Sequence, residues 1–212
     1  MSITTQPKKL TWLITGCTSG FGLSLSRLVL ANGHTLIATS RHAPHPSLIT
    51  SITSSGGRWL TLDVSSPSSA QLITSLSESG IEIDVLVNNA GYCDFRIIEN
   101  VKEEEVRGQM ETMFFGPVRL MQAVLPGMRK RRFGVVVNFS SGAALDGNPT
   151  MGVYAGAKAG LDGMLKTLLL IVGRGLREVN GMVANVHRSL ESPRERSRAV
   201  QYPRLDCCAG DL

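Results

Sequence analysis

The residues that most constrain how this chain can fold are three glycines, Gly16, Gly20 and Gly22, set between an apolar run and a helical pattern. Leu10-Thr11-Trp12-Leu13-Ile14-Thr15 is short, apolar and stopped by Gly16, the pattern of a strand buried on both faces. From Phe21 to Ala31, the apolar residues Leu25, Leu28 and Val29 recur at helical spacing until Asn32-Gly33 ends the run. A strand passing into a helix through glycines predicts a tight turn at Gly16. Gly20 and Gly22 remove side chains where the backbone must approach a pyrophosphate and where helix meets strand. The free N–H groups at the helix start then face the phosphates. A glycine triplet alone is weak evidence; the strand before it and the helix after it supply the context.

The same alternation continues along the chain. Thr35 to Thr39 predicts a second strand, and Leu48 and Ile49 a short helix after the Pro44 and Pro46 turn. Trp59 to Val64 reads as a third strand, and Pro67 as the first position of another helix. Ile83 to Val87 predicts a fourth strand ending at Asn88-Asn89-Ala90-Gly91. Val101 to Met128 is helical in pattern, with Pro117 as a kink or packing point. Val135 to Phe139 reads as a fifth strand, and Val153 to about Val172 as a long helix. Five βα alternations predict an α/β fold, a doubly wound parallel sheet between two helical layers.

Composition narrows the class. Hydrophobic residues are 42% and charged residues 18% of 212, so one domain can bury a core without covalent staples. Cys17, Cys93, Cys207 and Cys208 show no metal-ligand spacing, which predicts free thiols in a reducing compartment and no metal site. Met1 to Lys9 is polar without an apolar signal core, and Leu168 to Val172 is too short to span a bilayer. A cytoplasmic chain without a membrane partner is expected. The net charge of +5 owes part to Arg129-Lys130-Arg131-Arg132, at the predicted end of a helix, where cations complement the dipole. No aromatic residues interleave with that run, so a nucleic-acid partner is not expected.

Thr15-Gly16-x3-Gly20-x-Gly22, Asn88-Asn89-Ala90-Gly91, Asn138-Phe139-Ser140-Ser141 and Tyr154-x3-Lys158 follow one another in order. In this order and spacing, over roughly Lys9 to Thr167, the chain resembles the short-chain dehydrogenases/reductases. The resemblance implies a Rossmann-type three-layer fold and hydride transfer between a nicotinamide cofactor and a carbonyl or alcohol substrate. It implies that Thr15, Gly16, Thr18, Ser19, Gly20, Phe21 and Gly22 form the cofactor turn. Asp63 and Val64 would lie at the adenine, and Asn89, Ala90 and Gly91 along the cofactor, with Tyr154 and Lys158 beside it. It also implies a catalytic group of Ser141, Tyr154 and Lys158. Ser141 is preferred to Ser140 because it stands 13 positions before the tyrosine, with Ser140 as the alternative.

The residue types suit that chemistry. Positions 154 and 158 lie one turn apart on the same helix face. A tyrosine with its ordinary pKa of about 10 is a poor acid or base at neutral pH. A neighbouring ammonium favours the phenolate, and three units of lowering would need roughly 4 kcal/mol. Tyr154 would then act as general acid/base, Lys158 would hold the nicotinamide ribose, and Ser141 would hydrogen-bond the substrate oxygen. At the end of the second strand, Ala38-Thr39-Ser40-Arg41-His42 carries no acid to bind a ribose 2′-hydroxyl. Arg41 offers a planar fork for a phosphate and Ser40 a further donor, which predicts NADP rather than NAD.

Two features depart from the family pattern. Met113 falls where the family places an asparagine that orders a water chain to the lysine. After the Tyr/Lys helix, Met182 to Val186 fits a sixth strand, but His187-Arg188 replaces the expected Pro-Gly and no seventh strand follows. The expected organisation is a tail over 1–9, an NADP-binding domain over 10–172 and a divergent segment over 173–212. A truncated or altered reading frame and a shortened natural variant are both open as its origin. The alternative to an active enzyme is an impaired or inactive NADP-binding fragment. The long helices flanking the fifth strand are those through which family members form homodimers or homotetramers.

Overall fold

The computed structural model describes residues 9–169. Strands β1 (Thr11–Ile14), β2 (Thr35–Ser40), β3 (Arg58–Thr61), β4 (Val85–Asn88) and β5 (Val135–Asn138) form one parallel sheet in the order β3-β2-β1-β4-β5. Helices α1 (Gly20–Ala31), α2 (Pro46–Ser54), α3 (Ser69–Glu78), α4 (Glu103–Met110), α5 (Gly116–Arg131) and α6 (Gly152–Leu169) connect and cover it. The strand order reverses between β1 and β4, and that switch opens a crevice at the carboxyl ends of the strands.

Each strand feeds two cores, which is why the strands read as unbroken apolar runs. Trp12 and Ile14 pack with Leu25, Val29, Leu36, Val85 and Val87 on one face. Leu13, between them, points the other way and joins Ile37, Leu86, Leu120, Val124, Met128 and Leu161. All these side chains are buried. The expected α/β architecture and the helix after Pro46 are therefore present. The expected sixth strand and the divergent segment after 172 lie outside the described residues.

Several boundaries differ from the expected ones. The third strand ends at Thr61, not Val64, although Leu62 still gives its N–H to the Ser40 carbonyl at 2.9 Å. Helix α3 starts at Ser69, so Pro67 lies in the turn before it instead of at its first position. The fourth strand begins at Val85, because Asp84 is an anchor: its carboxylate accepts from the Thr11 N–H at 3.0 Å. The predicted helix from Val101 is divided. A π-helical turn, Glu111–Phe115, separates α4 from α5. Pro117 explains it, since proline has no N–H to return to the carbonyl of Met113. At the end of α5, Arg132 adopts φ 52° and Arg129, Lys130 and Arg131 occupy the last turn. Arg131 pairs with Glu82 at 3.2 Å. The basic run is a helix terminus, as expected from its dipole.

Candidate active site

The glycine turn is held from beneath by residues far away in sequence. The Thr15 hydroxyl accepts the N–H groups of Asn89 and Ala90, each at 3.0 Å. The Asn89 amide donates to the carbonyls of Thr15 at 2.8 Å and Gly16 at 3.1 Å. Thr15 is thus buried as a pin between the β1 and β4 ends. Gly16 has φ 72° and Gly20 φ 54°, both in the left-handed region that favours glycine. A Cβ at Gly22 would sit 2.3 Å from the Gly16 carbonyl oxygen, so helix α1 abuts the turn only without a side chain there. Ser19 caps α1 without a side-chain bond, and no acid stands in the first turn. Helix α1 thus begins directly after the glycine turn with no side-chain cap and no acid at its start, an arrangement that suits a phosphate. Thr18, Ser19 and Gly20 are exposed at its mouth, and the Phe21 ring lies 5.6 Å from that of Phe139.

At the end of β2, Arg41 and His42 are exposed and Ser40 is buried. The Ser40 hydroxyl donates to the His42 carbonyl at 2.7 Å and accepts from Trp59 Nε1 at 3.0 Å. The expected Ser40 donor is thus already spent within the protein, which leaves Arg41 as the cation at this edge. Asp63 lies two residues past the end of β3. Its Oδ1 accepts the Ser65 N–H at 2.9 Å and the Ser65 hydroxyl at 2.7 Å. Arg119 braces the next residues, donating to the carbonyls of Val64 and Ser65 while paired with Glu111 at 2.7 Å.

Tyr154 and Lys158 stand on α6, which packs against the 3₁₀ turn that Ser141 opens after β5. Lys158 is buried, with its ammonium 5.8 Å from the centre of the Tyr154 ring. It donates a short hydrogen bond to the Phe139 carbonyl. Burial pushes the Lys158 pKa down, and the nearby Asp162 carboxylate opposes that shift. Ser141 stands at the start of a 3₁₀ turn, Gly142–Ala144, and its hydroxyl oxygen accepts the Ala143 N–H at 3.2 Å. The neighbouring Ser140 hydroxyl instead donates to Asp162 Oδ2 at 2.5 Å.

Met113 is buried in the π turn and packs under Gly91, where an added Cβ would meet its Cε at 3.0 Å. Gln109, also buried, donates to the Tyr92 carbonyl at 2.8 Å. A cavity of about 320 Å³ opens between the segment after Gly91 and the start of α6. Asp94, Arg96, Ile97, Gln109, Thr150 and Val153 line it, so it ends one residue short of Tyr154. Two of its lining residues are tied together, the Arg96 N–H donating to the Thr150 carbonyl at 2.9 Å. Sequence reasoning did not single out Asp162, Gln109 or Thr150. For Asp162 a signal existed: it lies four residues after Lys158, on the same helix face.

Among the described residues, no helix is long and apolar enough to cross a membrane. The sequence pattern of the family described as short chain dehydrogenase matches residues 11–184, past the Thr167 limit of the resemblance read from motifs. The chain is 38% identical over 161 residues to the oxidoreductase claN of Passalora fulva, covering 74% of this chain and 73% of that protein. A short-chain dehydrogenase structure from Streptomyces avermitilis superposes with a TM-score of 0.73 at 31% identity, over 81% of this chain and 62% of that one. A metagenomic short-chain oxidoreductase solved in complex with NADP superposes with a TM-score of 0.70 at 25% identity, over 75% of this chain and 73% of that one. With its parallel sheet, its glycine turn at the strand switch and these relatives, the chain belongs to the short-chain dehydrogenase/reductase family of oxidoreductases.

Proposed function

We propose that the chain is an NADP-dependent oxidoreductase that interconverts a carbonyl compound and its alcohol, with Tyr154 as general acid/base. The observation that carries this reading is the buried Lys158 ammonium beside the Tyr154 ring. A buried cation beside the phenol supplies the charged neighbour that a tyrosine exchanging a proton with a substrate oxygen calls for. Ser141 keeps its hydroxyl hydrogen for that oxygen, since in its bond with the Ala143 N–H it is the acceptor. Ser140 is committed to Asp162, which supports Ser141 as the substrate contact.

The residues present fit a dinucleotide. Gly16 and Gly22 allow the close packing that shapes the turn, Gly20 leaves open space at its mouth for the phosphates, and the α1 N–H groups supply donors. Arg41, without an acid beside it, would pair with a 2′-phosphate and so favours NADP over NAD. Asn89, Ala90 and Gly91 would border the nicotinamide side, and Lys158 would hold its ribose. When bound, NADPH supplies the hydride. The cavity beside Val153 is the place for a small substrate. Helices α5 and α6 are available for a homodimer or homotetramer.

Met113 favours a second reading, a chain that binds NADP and turns over slowly. Its thioether cannot order a water chain to Lys158 as an amide can. One experiment separates the two: a thermal shift with NADPH, then NADPH oxidation across a panel of ketones and aldehydes. Turnover that falls by at least about 100-fold in Y154F, with the thermal shift retained, supports the enzyme. A shift without turnover supports the binder, and turnover unchanged in Y154F refutes the assigned role of Tyr154.

A further inference from the structure

We propose that Asp162 is a positioning residue of the catalytic centre, holding the Phe139–Ser141 strand end and the Lys158 ammonium in register with Tyr154. The proposal rests on the oxidoreductase reading above. Tyr154, Lys158 and Asp162 follow at four-residue steps and so share one face of α6. Two bonds tie that face to the end of β5. Lys158 donates to the Phe139 carbonyl, and the Ser140 hydroxyl donates to Asp162 at 2.5 Å. Ser141 follows directly, so the hydroxyl whose distance from Tyr154 matters hangs from two anchors on the tyrosine's own helix. With one anchor the strand end can pivot; with two its position is set.

Charge gives Asp162 a second task. Lys158 is 6% exposed and forms no ion pair within 4.0 Å among the described residues. The groups that face it are few. The end of β5 offers a carbonyl, Tyr154 a phenol, and Asp162 the charge that opposes desolvation. The π turn packs Phe114 over Gly160, and its one carboxylate, Glu111, is paired with Arg119. A bond to Ser140 alone needs only an acceptor, which asparagine would provide. Asp162→Asn therefore keeps the anchor and removes the charge, while Ser140→Ala removes the anchor and keeps the charge.

The test uses the full chain with D162N, D162E and S140A. The pH midpoint at which Lys158 becomes acetylated by acetic anhydride is read from its peptide by mass spectrometry. Turnover and the KM for NADPH are measured with any carbonyl the wild type reduces. D162N should lower the Lys158 midpoint and cut kcat on the order of tenfold at an unchanged KM for NADPH, with D162E restoring both. S140A should lower kcat and leave the midpoint in place. A wild-type midpoint in D162N, or a wild-type kcat in S140A, overturns the proposal. If the wild type reduces no carbonyl, the oxidoreductase reading fails by itself, and the midpoint still decides whether Asp162 sustains the Lys158 charge. If D162N does not fold, the midpoints of D162E and S140A decide: both must match the wild type, and a fall in either overturns the proposal.

Discussion

Substituting Gly22 by alanine tests the link between the glycine turn and nucleotide binding most directly. The added Cβ would lie 2.3 Å from the Gly16 carbonyl oxygen, 2.5 Å from Asn89 Nδ2 and 3.0 Å from the Gly16 carbonyl carbon. Carbon contacts relax at about 3.5–4.0 Å, so turn and helix must part by roughly 1 Å. None of the three atoms is the free end of a flexible side chain. Two are backbone, and the Asn89 amide is itself bonded to the carbonyls of Thr15 and Gly16. Overpacking of this kind costs about 1–3 kcal/mol. In a chain of this length each kcal/mol lowers the melting temperature by roughly 2–4 °C, so a fall of roughly 2–12 °C is expected. The displaced turn is the proposed phosphate cradle, and losing 1.4 kcal/mol there weakens NADPH about tenfold. Scanning fluorimetry gives the first quantity and NADPH fluorescence titration the second. G147A is the control, since a Cβ there meets nothing within 4 Å. A G22A chain that melts and binds NADPH like G147A would refute the packing argument.

Three further expectations follow from other parts of the site. Arg41→Ala should weaken NADPH by tenfold or more and leave NADH almost unchanged, as titration of both cofactors will show; equal losses would remove Arg41 from the 2′-phosphate. Met113→Asn should raise turnover by restoring a water-ordering amide, yet lower the melting temperature, because the amide enters a buried slot under Gly91 at a cost of about 1–3 kcal/mol. Turnover that stays level would show that Met113 does not limit proton supply. Burial raises the Cys17 thiol to about 11 from 9.0. A raised folded pKa contributes stability that is present below the unfolded value and lost as pH rises through the folded one. Melting temperature should therefore fall between about pH 9 and 11 more steeply in the wild type than in C17A. Lys158, shifted the other way, contributes equally to both chains and cancels in that comparison.

Much of the site was legible because its signals are local. Residues four apart on a helix share a face in any fold, so Tyr154-x3-Lys158 announced a phenol beside an ammonium. Gly16 and Gly20 were readable because a strand-to-helix turn needs left-handed backbone. The missing acid after β2 is likewise visible in the sequence alone. The sequence offers Ser40 as a phosphate donor, yet its hydroxyl is turned to His42 and Trp59. Pattern along β2 says which face a side chain takes, not which partner waits there. The boundaries of β3, α3 and β4 moved by up to three residues because caps and cross-strand anchors, such as Asp84 to Thr11, end elements where tertiary bonds do.

By itself the sequence determined the alternation of strands and helices, the glycine turn and the Tyr154–Lys158 pair. Each is a short-range pattern whose meaning follows from helix and strand periodicity. Only the tertiary structure decided that Asn89 pins a turn more than 70 residues before it, and that Met113 packs under Gly91. It alone decided that Asp162 takes the Ser140 hydroxyl while Ser141 accepts from Ala143. Those pairings depend on the order in which β1, β4 and β5 lie side by side. Strand order is settled by how the two faces of the sheet are buried together, and no single segment carries that information.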